Sequence, residues 1–343
     1  MTTHHLSTNR LIAASERCYR AFLVLYPRQF KREYGDEMYR TFRDCCGEAW
    51  RTHGSWGVAR LWGVVFCDLV VTVSSEQSTA WVKGLCRLFG LEKEYVMNNL
   101  LSFDVALRTD IGCTRANNED NVNSIVPQDL QLLQKKGALF VVADGMGGHE
   151  HGEVASKIAV DEVGARYYQG GEDVADALTQ AIKYANTLVY KGADDAQKGM
   201  GSTCIAAVVQ GSAAYIANVG DSRAYIVRDG EVRQISRDHS WVEEQVHAGI
   251  ITEEQARTHA QRNVITRCLG SQEDVEVDLF IEPVQMGDIL VLCTDGLSSL
   301  VRNEELREVV ETYSSEESVE RLIAQAKERG GPDNITALVA KIN

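Results

Sequence analysis

The sequence predicts an α+β fold with largely antiparallel sheets, preceded by a small all-α module. Three observations carry this. From about Leu101 onward the chain breaks into short apolar runs bounded by turn residues. The helical patterns of that part come in blocks and do not alternate strictly with strands. Residues 11–95, by contrast, show apolar residues at helical spacing.

Within the leading segment, a helical pattern runs from Ser15 to Trp50, punctuated at Tyr26-Pro27 and Tyr34-Gly35. A second covers Val58–Val73. A third, Thr79–Tyr95, sets Trp81, Leu85, Leu88 and Phe89 on one side. The apolar stretch Leu61–Val73 is 13 residues long and contains Asp68. A membrane span needs roughly 20 apolar residues, so no transmembrane span is expected. The expected organisation is a helical accessory module at 1–98 and a larger α+β domain at 99–343.

In the second part Ala138–Ala143, Cys204–Val209, Ala214–Val219 and Ile289–Cys293 read as buried strands. Tyr225–Val227 and Val232–Ile235 flank Asp229-Gly230, which predicts a tight hairpin. Helices are expected over Gly152–Tyr168, Val174–Tyr190 and Ser315–Glu328. Ser314 with Glu317 forms a capping box for the last, and Gly330 ends it.

Charge is divided unevenly. Residues 1–100 hold 13 Lys and Arg against 10 Asp and Glu, so the chain totals of 35 and 49 leave 101–343 at −17. Phosphate backbones demand Lys and Arg, so a nucleic-acid partner is excluded. The nine cysteines contain no C-x-x-C spacing, and the first ten residues are polar. The chain therefore reads as reduced and cytoplasmic.

The chemistry lies where apolar runs end in aspartate. ALFVVADGMGGH places Asp144-Gly145 at a strand end, YIANVGDSRAY places Asp221, ILVLCTDGLSS places Asp295, and GGPDNITALVA sets Asp333 just before a strand. Each aspartate alone is an ordinary turn residue. Four in one domain point to convergence, and converging carboxylates cannot all stay ionised without cations. Oxygen ligands favour Mg²⁺ or Mn²⁺, and no His/Cys cluster has zinc spacing. TDIGCTRANNED adds Arg115, which can grip phosphate oxygens bidentately. It also adds Glu119 and Asp120, as ligands or as holders of bound water.

TDIGCTRANNED, ADGMGGHEHGEVAS, GMGSTC, NVGDSRAY, RDHS, RNVITRCLG, CTDGLSS and GGPDNIT, in that order across residues 101–343, resemble the bacterial branch of the protein phosphatase 2C (PPM) family. The resemblance implies an antiparallel β-sandwich flanked by helices, a four-layer αββα arrangement. It implies hydrolysis of phosphoserine and phosphothreonine in proteins by a metal-bridging water, without a phosphoenzyme. Asp144 would bridge two Mn²⁺ or Mg²⁺ ions, the Gly145 carbonyl would bind one, and Asp295 and Asp333 would complete the catalytic pair. Asp120 would hold metal-bound water, Asp221 would serve a third, weaker ion, and Arg115 would bind the substrate phosphate. Ser222 and Arg223 would shape their turn, and His239 would be structural. Ser240–Arg262 would be a mobile flap.

Three positions depart from the family pattern. Met146 stands where animal relatives carry a histidine general acid, and His149 is a bystander. Ser299 stands where Asp or Asn is common, which weakens the third ion. Ala260 replaces a common proline of the flap. LVLYPRQFKREYGDEMYRTFRD resembles the helical prefix domain of some bacterial permeases, which implies docking to a partner or regulation. The implied substrates are phosphoproteins made by a bacterial serine/threonine kinase, and a narrower reading is an anti-sigma-antagonist-type phosphoprotein. The alternative is a phosphatase-like sensor without chemistry.

Overall fold

The computed structural model describes residues 101–147, 151–195 and 199–343. Of the leading segment it describes 15, 19, 39, 40, 42, 43, 45–47, 50–52, 54, 56–58, 60 and 62. The chain divides into two compact units, Met1–Leu100 and Leu101–Asn343. Every described residue of the first unit is helical. There Tyr19 and Phe42 stack at 4.0 Å, and Trp62 Nε1 donates to Ser15 Oγ. The expected breaks at 26–27 and 34–35, most of the 61–73 run, the 79–95 helix and His149 lie outside the described residues.

The second unit is built on strand alternation. One sheet orders β1 (Phe103–Asp110), β11 (Ile335–Ile342), β10 (Ile289–Cys293), β7 (Arg223–Arg228) and β8 (Glu231–Gln234) side by side. The other orders β2 (Asp120–Ile125), β3 (Ala138–Met146), β5 (Cys204–Gln210), β6 (Ala213–Val219) and β9 (Asp278–Pro283), with the short β4 (Gly201–Ser202) also on β3. Every pairing is antiparallel.

Successive side chains point to opposite faces of a strand. Ala138, Phe140 and Val142 of β3 therefore meet Leu290 and Leu292 of β10 between the sheets. Leu139, Val141 and Ala143 face outward onto helices α2 (His151–Gln169) and α3 (Val174–Asp195). Val291 and Cys293 face the other helical layer, α7 (Asn303–Thr312) and α8 (Ser315–Glu328), beside the short α6 (Asp295–Ser298). Central strands are buried on both faces, hence their unbroken apolar runs. The architecture is the predicted four-layer αββα arrangement.

The Asp229-Gly230 turn has positive φ at both residues, 52° and 77°, as the tight hairpin requires. The cap of α8 differs from its expected form. Ser314 Oγ accepts from the Glu317 N–H at 3.3 Å, but the Glu317 carboxylate turns to the Ser314 hydroxyl, so only half of the box forms. Past the helix, Gly330 (φ 107°) lets Gly331 N–H return to the Ala326 carbonyl. Residues 240–262 fold as α4 (Trp241–His247) and α5 (Glu253–Thr258), with Trp241 stacked on His259 at 4.9 Å. A short helix α1 (Leu130–Lys136) joins β2 to β3.

Candidate metal centre

The strands bring five aspartates to one end of the sandwich. Asp120 opens β2 and stands directly opposite Asp144 on β3. Asp295 opens α6 two residues after β10, Asp333 precedes β11, and Asp221 follows β6. Asp120 is buried, and its Oδ2 accepts from the hydroxyls of Thr294 (2.9 Å) and Thr336 (2.7 Å). Thr336 lies on β11 of the facing sheet and Thr294 directly follows its β10, so the two bonds tie the sheets together beneath the carboxylates.

The neighbouring glycines make this convergence possible. A Cβ on Gly145 would lie 2.1 Å from the Gly152 carbonyl oxygen, and one on Gly296 would lie 1.9 Å from that of Asn334. Both contacts are with backbone, so neither position accepts a side chain without displacing a chain segment. Gly220 combines φ 111° with a threonine, Thr203, at its back. The glycines beside Asp144, Asp221 and Asp295 thus serve close approach at least as much as turning.

The electrostatics are those of crowded, dehydrated carboxylates. Burial pushes Asp120 up to about 7, with Asp295 and Asp333 adding to the rise against its two threonine bonds. Asp144 lies well above the usual range through burial first, then through Asp120, Asp295, Asp221 and Asp333. Asp221 is raised by burial, Asp295 and Asp238. Asp295 is raised by burial and Asp333. Among the described residues, Oδ1 of Asp120, Asp221 and Asp295 is buried without a hydrogen-bond donor. A buried carboxylate oxygen without a donor is costly. Three of them in mutual repulsion form a set that a hard cation would satisfy.

Arg115 lies at the rim, exposed, and its Nη2 meets Asp333 Oδ2 at 2.8 Å. Asp333 raises the Arg115 guanidinium most, and Glu119 and Asp144 add to it. Arg223 grips Asp238 through Nε and Nη2 (2.7–3.1 Å), and its charge partly offsets the rise of Asp221 and Asp295. Ser222 Oγ bonds Thr203 Oγ1 at 2.7 Å. His239 Nδ1 accepts from the Gly220 N–H at 3.0 Å, and its other nitrogen stands 3.3 Å from Asp278. Ser299 is exposed, and its N–H caps the Asp295 carbonyl.

Thr294, Thr336, Thr203 and Asn334, to which the sequence motifs assign no role, also hold the site together. Thr294 and Asn334 adjoin Asp295 and Asp333 in the chain, but Thr203 and Thr336 adjoin no aspartate, and no local pattern singles out any of the four. Asn334 Oδ1 accepts from the Glu119 N–H (2.8 Å), and its Nδ2 donates to the carbonyls of Ile111 and Asn117.

Carboxylates that need cations, below a guanidinium that can hold an oxyanion, suit an enzyme that hydrolyses phosphate esters with divalent ions. The family profile of protein phosphatase 2C matches residues 119–338. The serine/threonine phosphatase stp of Listeria innocua is 37% identical over 244 residues, 69% of this chain and 94% of the relative. The solved Mycobacterium tuberculosis serine/threonine phosphatase PstP/Ppp superimposes with a TM-score of 0.63 at 37% identity, over 71% of this chain and 99% of that one. A PstP catalytic domain in complex with two manganese ions gives 0.62 at 36% identity, over 71% and 99%. The chain belongs to the protein phosphatase 2C family, the metal-dependent serine/threonine protein phosphatases.

Proposed function

We propose that the chain hydrolyses phosphoserine and phosphothreonine esters by direct attack of water, without a phosphoenzyme, at a centre holding Mn²⁺ or Mg²⁺. The observation that carries this is the set of three buried, donorless oxygens on Asp120, Asp221 and Asp295, facing carboxylates that repel one another. Asp144, Asp295, Asp333 and the Gly145 carbonyl would hold two ions, and Asp120 would orient their waters. Among the described residues no three His, Cys, Asp or Glu side chains already close on one point. Cations such as Mg²⁺ keep several waters and take only one or two carboxylates each. Two ions would supply an acidified water and neutralise the phosphoryl group for in-line displacement. Asp221 would serve a third ion, weakened because Ser299 offers no carboxylate.

Arg115 orients the substrate. Released from Asp333, its planar guanidinium takes two phosphate oxygens and fixes the ester for attack. The buried thiols of Cys204 and Cys293, pushed up to about 12 by burial, are poor nucleophiles, in keeping with direct attack by water. The test is phosphate release from a phosphothreonine peptide with Mn²⁺ and with excess EDTA. Turnover is expected only with the metal, and equal release in EDTA would sink the reading.

Residues 1–98 act as a helical module that docks a partner or regulates the enzyme. Its support is that stp is matched over 94% of its own length by 69% of this chain, leaving this segment over. The phosphoprotein substrates are those of a serine/threonine kinase, in the cytoplasm. No helix among the described residues is long and apolar enough to cross a membrane, and the described cysteines are free thiols. A 101–343 fragment should match the full chain on a short phosphopeptide but differ in kcat/KM on phosphoprotein substrates. Identical values on the proteins would remove the docking role.

A further inference from the structure

Asn334 is 4% exposed, and its amide is fully committed. Its acceptor takes the Glu119 N–H at 2.8 Å, and its two donors reach the carbonyls of Ile111 (3.0 Å) and Asn117 (2.9 Å). None of the three bonds lies within its own segment. All fall on the loop 111–119, which connects β1 to β2 and carries Arg115 near its middle. The same loop is pressed against the neighbouring residues of the Asn334 segment. A Cβ on Gly112 would stand 2.0 Å from the Asp333 carbonyl oxygen, and the Cys113 N–H donates to the Gly331 carbonyl at 2.7 Å.

The placement of Arg115 has to come from this backbone. Its side chain is half exposed at the rim, held there through the ion pair with Asp333. A long side chain can hold two phosphate oxygens in one geometry only if its Cα is fixed. We propose that Asn334 is a positioning residue that locks the Arg115 loop to Asp333, so that the guanidinium stands at one set distance from the carboxylates. Asparagine is required by the bonding pattern: aspartate keeps the acceptor but lacks both donors, and alanine lacks all three. The inference rests on Arg115 being the phosphate ligand.

A double-mutant cycle tests both statements separately, with the full-length chain, Mn²⁺ and a phosphothreonine peptide. Asn334→Ala should raise KM about tenfold with kcat changed less than about threefold, the signature of a misplaced substrate ligand. Arg115→Ala should raise KM at least as much, and the double variant should be no worse than Arg115→Ala. Asn334→Asp, which keeps volume and the Glu119 bond, should raise KM in the same direction and covers the case in which alanine prevents folding. Mn²⁺ affinity by calorimetry should stay within about twofold in the alanine variant, since a defect carried by Arg115 leaves the metal ligands in place.

If Arg115→Ala leaves KM unchanged, the phosphate assignment fails and this inference with it. If Arg115→Ala raises KM but neither Asn334 variant does, Asn334 positions nothing. Additive losses in the double variant, or Mn²⁺ affinity falling in step with KM, also overturn the positioning role.

Discussion

Asp144→Asn should reduce kcat by about a thousandfold or more while raising the melting temperature of the metal-free protein. The first effect follows from the place of Asp144 between the other carboxylates, where it interacts with Asp120, Asp295, Asp221 and Asp333 together. Weakened ion binding at that point removes several kcal/mol of transition-state charge stabilisation, and roughly 4 kcal/mol is a factor of a thousand. The second effect has the opposite sign and the same cause. Folding forces Asp144 either to take up a proton or to keep a charge among like charges, and both cost free energy relative to the hydrated, ionised unfolded chain. Asparagine has nearly the same shape and avoids both. A gain on the order of 1 kcal/mol is about 2–4 °C for a unit of this size. Melting in EDTA and turnover in Mn²⁺ measure the two halves. Near-normal turnover, or a lower melting temperature in EDTA, would contradict the placement of Asp144 at the centre of the cluster.

That opposition between stability and activity also explains what the sequence made legible. The central strands are buried on both faces, so they appear as apolar runs, and an aspartate that interrupts such a run marks the rigid end of a strand. Three of the sheet-edge strands left no such trace. β1, β2 and β9 are only half-buried, and sequences such as DNVNSI and DLFIEP resemble loops. The fourth edge, β8, was readable because Asp229-Gly230 announces its hairpin. The glycines were legible as residues but not in purpose. Turn chemistry accounts for Gly230, whereas Gly145 and Gly296 are needed because foreign backbone passes about 2 Å from where their Cβ would be. Nor does local pattern reveal Thr294, Thr336 and Asn334. Their partners lie 174, 216 and 215 residues away in the chain, at Asp120, Asp120 and Glu119. Such bonds become visible only once the two sheets face each other.

The raised carboxylates predict that protons and Mn²⁺ compete for the site. Asp120 has an ordinary value of 3.8 and is pushed up to about 7 by burial in the folded chain. Between those values the folded state holds a proton that the unfolded state has lost. Its contribution to stability is therefore complete below about pH 4 and disappears as pH rises through about 7. Asp144, Asp221 and Asp295 shift in the same direction, so the metal-free protein should melt at a lower temperature at pH 8 than at pH 5.5. Metal reverses the slope, because an ion binds the deprotonated carboxylates and must displace those protons. Each displaced proton weakens apparent Mn²⁺ affinity by about tenfold per pH unit below the raised value. Calorimetric titrations at pH 6 and 7.5, in two buffers of different ionisation enthalpy, should show tighter binding at the higher pH. They should also show a buffer-dependent heat from about one or more released protons. A dissociation constant independent of pH, with no buffer dependence, would mean that the carboxylates are already ionised before the metal arrives. The repulsion among Asp120, Asp144, Asp221 and Asp295 would then have to be relieved by something other than protons, and the donorless oxygens would lose their meaning as a site prepared for cations.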